Sequence, residues 1–99
     1  MKKKAYRPAR PFVEKLLKDL DIRVIYEEER AKTLIAEAVR SARIHAGLTQ
    51  SELAQIAHTT QAVISRIESG TDQRTPSLTL LAKIGAACHA KLTFGFSFK

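Results

Sequence analysis

The chain has 99 residues, 44% of them hydrophobic and 27% charged, with a formal net charge of +7. That length suits one modest core and is too short for two, and no apolar run approaches the roughly 18 residues of a membrane span or follows the basic N-terminus as a signal segment would. A single cysteine, Cys88, excludes an internal disulfide, so a reducing, cytoplasmic setting is expected.

Residues 1–10 carry Lys2, Lys3, Lys4, Arg7 and Arg10 without an acid. They lack periodicity and contain Pro8, so a disordered basic arm is expected there. A basic chain with a basic tail favours a polyanionic partner, because counterion release from phosphates drives binding without any reading of sequence. Pro11 suits the first turn of a helix, and Val13, Leu16, Leu17 and Leu20 then recur at helical spacing, which predicts an amphipathic helix over about residues 12–20. Asp21 to Glu29 is ambiguous. Ile22, Val24, Ile25 and Tyr26 have β-type composition, whereas Glu27, Glu28 and Glu29 suit the first turn of a second helix running to about His45. Ala31, Leu34, Ile35, Ala38, Ala42 and Ala46 would form its narrow packing stripe.

Gly47 reads as a left-handed cap with Leu48 as its hydrophobic contact. Thr49-Gln50-Ser51-Glu52 is a capping box that opens the next helix, with Leu53, Ile56 and Ala57 facing inward. After a break at His58-Thr59-Thr60, a helix capped by Thr60 and Gly70 is expected over residues 61–69. Residues 71–76 read as a loop, and Ser77 caps a last helix to about Cys88 with Leu78, Leu81, Ile84 and Cys88 inside. The ending KLTFGFSFK alternates Leu92, Phe94, Phe96 and Phe98 with polar or small residues, the period of a strand. A lone strand satisfies neither its apolar face nor its backbone, so pairing with the same segment of a second copy is expected. The fold class expected is all-α, a five-helix domain with an N-terminal extension and one C-terminal strand.

No nucleophile–base–orienter set and no phosphate-cradling glycine loop is present, so catalysis and a cofactor are not expected. His45, His58, Cys88 and His89 lack metal-ligand spacing, and no metal is expected either.

Two short helices joined by a tight turn form a helix-turn-helix pattern. GLTQSELAQIAHTTQAVISRIESG, residues 47–70, resembles the core of the phage-repressor/Cro (XRE) superfamily, whose members read G-L-T-Q-x-x-L-A and then S/T-Q-x-x-I-S-x-x-E-x-G. The similarity extends over about residues 31–90. Ala54, Ile64 and Ile67 face the core, which leaves Gln61, Ala62, Ser65 and Arg66 on the face that would enter a major groove. Gln61 suits adenine, Ala62 a thymine methyl, and Arg66 guanine or a phosphate. Thr60 at the helix start and Arg74 in the following loop complete the candidate DNA-binding set. The resemblance implies that Gln50 meets a phosphate and braces Gln61, and that Arg43 pairs with Glu68 as scaffold. His58 and His89 stand where this family usually carries Gly, so positive φ or a shifted turn is expected at both.

The whole chain, with a helix like PFVEKLLKDLDIRVIY ahead of the domain and AKLTFGF after it, is similar to HigA-type antitoxins, which pair with RelE/HigB-like ribonuclease toxins. The resemblance implies a homodimer on double-stranded operator DNA, with residues 11–30 as the toxin-binding extension: Phe12, Leu16, Ile25 and Tyr26 as anchors beside an acidic cluster. Two other readings stay open, a stand-alone repressor whose first helix only covers its own core and a protein-bridging module that has lost DNA binding. The terminal segment, residues 91–99, also has a second use, as a strand added to a toxin's sheet edge.

Overall fold

Between Pro11 and Gly47 the chain has no glycine and no further proline, so nothing interrupts a helix once it has begun. The computed structural model, which describes residues 10–72 and 74–98, accordingly has one 36-residue helix there, α1, Arg10–His45. The ambiguous stretch Asp21 to Glu29 is helical throughout, so the two helices expected on either side of it are one. Ile22, Val24 and Ile25 are weak helix formers, but Arg23 and Glu27 to Glu29 beside them are strong ones, and a helix already nucleated propagates through such a stretch. Three short helices follow: α2, Gln50–Ile56; α3, Gln61–Ser69; and α4, Leu78–Ala87. The described residues therefore hold four helices and not five. Residues 1–9 of the basic arm lie outside the described residues, as do Gln73 and Lys99.

The chain divides into two units, residues 1–31 and 32–99. In the first, Phe12, Leu16, Leu17, Leu20 and Val24 are all exposed, and at about 100° per residue they share one broad helix face. In the second, Val39 joins Leu53, Ala54, Ala57, Ile64, Ile67, Ile84 and Cys88 in a buried cluster drawn from all four helices and the residues that end them. The packing face of α1 centres on Ala36 and Val39, while Leu34 and Ala38 of the expected stripe are exposed. Ile56 and Leu78 are exposed as well; Ala57 and Ile84 take the inward positions of their helices.

Three helix ends close in the same way, with a left-handed residue and paired backbone bonds. After α1, Gly47 (φ 73°) sits between Gly47 N–H to Ile44 O, 3.0 Å, and Leu48 N–H to Arg43 O, 3.1 Å. After α2, His58 (φ 58°) occupies that place, with Thr59 N–H reaching Ala54 O at 2.9 Å. After α4, His89 (φ 56°) does the same, with Ala90 N–H on Gly85 O at 2.8 Å. At Gly85 a Cβ would stand 3.2 Å from the Ala90 carbonyl oxygen, a tight contact that the chain end would have to give way to.

Residues 91–98 form no strand. A strand exists only through a neighbour's backbone groups, and the single chain supplies none among the described residues. Phe94, Phe96 and Phe98 are 85%, 87% and 92% exposed.

A side chain in the left-handed region costs about 1–2 kcal/mol, against about 0.5–1 kcal/mol of extra chain entropy for glycine. His58→Gly should therefore raise stability by about 0.5–1 kcal/mol in urea denaturation, with His58→Val lowering it.

Candidate nucleic-acid interface

Thr49 and Glu52 fix the start of α2 reciprocally: Glu52 N–H donates to Thr49 Oγ1 at 3.0 Å and Thr49 N–H to Glu52 Oε1 at 2.8 Å. Ala54, 3% exposed, is small enough to let α3 cross close by. Thr60 caps α3 by accepting from Val63 N–H at 3.2 Å, which leaves its hydroxyl hydrogen free to donate outward. With Ile64 and Ile67 buried, α3 is held at a fixed rotation.

That rotation leaves Thr60, Gln61, Ala62 and Arg66 exposed and Ser65 half-buried. Gln50 of α2 reaches the same surface, where its Oε1 accepts from Gln61 Nε2 at 2.8 Å. The loop after α3 adds a residue that sequence reasoning did not single out. Asp72 accepts from the Arg74 backbone N–H at 3.1 Å and lies 3.9 Å from Arg66 Nε. The ion pair is long and half-exposed, so it holds Arg66 only weakly and leaves it free to turn toward a ligand. The hydrogen bond from Arg74 N–H to the Asp72 side chain is local and readable as an Asx signal, whereas the approach of Asp72 to Arg66 is not.

Beneath this surface lies an ion pair. Arg43 Nε donates to Glu68 Oε2 at 2.7 Å and Nη2 to Oε1 at 3.0 Å, while Nη1 reaches Leu48 O at 2.9 Å. The side chains are 16% and 4% exposed. The hydrogen bond to Glu68 raises the Arg43 pKa further above its ordinary value, so the guanidinium stays charged throughout the accessible range. Gln50 Nε2 also donates to Glu68 Oε1, at 3.2 Å. Among the described residues no buried side-chain polar atom lacks a partner.

Cys88 is buried, and burial pushes its thiol pKa up, which disfavours the thiolate that nucleophiles and metal ligands require. The described residues hold no group of three or more His, Cys, Asp or Glu that could bind a metal ion, and no helix long and apolar enough to cross a membrane.

The remaining candidates separate. Phe12 and Leu16 share a face of α1, but Ile25 lies nine residues beyond Leu16, about half a turn round, so the four expected anchors do not form one patch. Leu17, Leu20 and Val24 extend the patch that Phe12 and Leu16 begin. Leu92 is exposed, though less so than the three phenylalanines that follow it.

A family model described as helix-turn-helix matches residues 39–94, more than half of the chain. No curated protein matches it.

Removing one partner from a fully buried pair costs about 3–5 kcal/mol; Arg43 and Glu68 are partly buried, so the charge left behind is partly solvated and the cost is about 2–3 kcal/mol. Glu68→Ala should lower the unfolding free energy by about that amount in chemical denaturation, and Asp72→Ala, at a weak exposed contact, by less than about 1 kcal/mol.

Proposed function

Because the chain belongs to the helix-turn-helix family, of XRE type, we propose that it binds a specific double-stranded operator as a homodimer and serves as the antitoxin and autorepressor of a toxin–antitoxin operon. The observation that carries the DNA-binding part is the exposed face of α3, where Gln61, Ala62 and Arg66 stand opposite the buried Ile64 and Ile67 and Gln50 braces Gln61. α3 would lie in the major groove, with Gln61 bonding adenine and Ala62 meeting a thymine methyl. Arg66, released from Asp72, would take guanine or a phosphate. Thr60, Ser65, Gln50 and Arg74 would hold the register on the backbone. The net charge of +7 adds attraction that is independent of sequence.

Dimerisation is supported by two features. A single recognition helix reads too few base pairs for useful specificity. The exposed run of Leu92, Phe94, Phe96 and Phe98 has the alternation of a strand and wants a partner. Antiparallel pairing of two copies would complete both ladders and cover both apolar edges.

The antitoxin part rests on residues 10–31. A repressor core does not need an exposed face of Phe12, Leu16, Leu17, Leu20 and Val24, and six acids against four bases over residues 11–30 complement a basic ribonuclease of the RelE/HigB type. Tyr26, on the Phe12 side of the helix, extends that patch. Ile25 would serve a partner that wraps the helix.

Two measurements test the parts separately. In quantitative gel shifts on the promoter upstream of its own gene, Arg66→Ala should cost about 1–3 kcal/mol at one base pair and leave the others unchanged; equal loss on every sequence would make Arg66 a phosphate contact. On co-expression with the adjacent small basic reading frame, Leu16→Glu with Leu20→Glu should weaken toxin capture at least about 30-fold while promoter binding is retained. Full capture by that variant contradicts the proposed toxin surface.

A further inference from the structure

The hydrogen bonds that join the buried ion pair to the exposed face have a direction. Both carboxylate oxygens of Glu68 accept from the Arg43 guanidinium, so Glu68 meets its neighbours with lone pairs only. Gln50 can meet it solely with its amide nitrogen, as Nε2 to Oε1 at 3.2 Å. The carbonyl of Gln50 then faces the other way, toward Gln61. A carbonyl also only accepts, so Gln61 must answer with its own nitrogen, Nε2 to Oε1 at 2.8 Å. Each link determines the next, and an exposed glutamine that would otherwise present either end of its amide loses that freedom.

We propose that Glu68 is a positioning residue for base reading: through Gln50 it sets the amide orientation of Gln61. The inference rests on the reading of DNA by Gln61 proposed above. With one N–H of Gln61 committed to Gln50, its carbonyl oxygen and one N–H remain. That donor-plus-acceptor edge matches adenine, which offers N7 and an amino group. It mismatches guanine, which offers two acceptors, N7 and O6. The ion pair thereby contributes to specificity as well as to folding, and it makes Gln61 discriminate between the two purines.

The test is selection from a randomised duplex library, with the adenine-to-guanine ratio read at the position where Gln61→Ala changes the preference. Wild type should favour adenine by at least about fivefold. Glu68→Gln offers Gln50 either end of an amide and should bring the ratio to within about twofold. Gln50→Met cuts the relay while leaving Arg43 and Glu68 paired, and should do the same if the Glu68 variant folds poorly. Neither change should alter the ratio further in a Gln61→Ala background, whereas general loosening of the fold would. A wild-type ratio retained in both Glu68→Gln and Gln50→Met overturns the relay and leaves Gln61 a reader. Identical ratios in wild type and Gln61→Ala at every position remove Gln61 from the readout, and the proposal falls with that premise.

Discussion

The Arg43–Glu68 pair ties together the end of α1, the start of α2 and the end of α3. Arg43 stands in the last turn of α1 and holds the Leu48 carbonyl that leads into α2, while Glu68 closes α3 and takes the Gln50 amide from the start of α2. A buried ion pair often adds little to stability, since desolvation opposes the Coulomb attraction. Its value here is geometric: a planar, two-pronged contact between Arg43 and Glu68 admits one arrangement of helix ends where apolar packing alone admits several.

Packing then converts that constraint into a surface. The core of the second unit is built from residues of modest size, with Ala54 and Ala57 between Leu53, Ile64 and Ile67. Small side chains let the helices approach closely, and the two isoleucines of α3, three residues apart, fix which side faces out. His58 adopts a strained backbone at the turn between α2 and α3. Strain there persists because the capped helices on either side leave the turn no alternative.

Much of the second unit is legible in the sequence because its signals are local. Thr49 with Glu52, Thr60 and Ser77 announce helix ends through side-chain chemistry that acts within four residues, and Gly47 and Gly70 do so through backbone freedom. The outward set Gln61, Ala62 and Arg66 follows from the periodicity of its buried neighbours. What escapes is non-local or marginal. The continuity of α1 through Ile22 to Tyr26 is a contest between β-type composition and propagation from both sides, and composition alone does not decide it. The rotation of α1, with Ala36 and Val39 inward, depends on what packs against it. The terminal alternation is real in the sequence, but a strand is a property of two segments, and the described residues hold only one. The direction of the Glu68–Gln50–Gln61 relay needs coordinates, since glutamine spacing carries no information about which end of an amide faces which partner.

In the proposed operator-bound dimer, two-fold pairing would hold the two α3 helices at a fixed separation. Hydroxyl-radical footprinting of the promoter upstream of its own gene tests it most directly. Two protected blocks on one face of the duplex, about 34–36 Å or a multiple of that apart and related by an inverted repeat, are expected of an operator-bound dimer. Protection in no fixed register, or none at low salt, would contradict it.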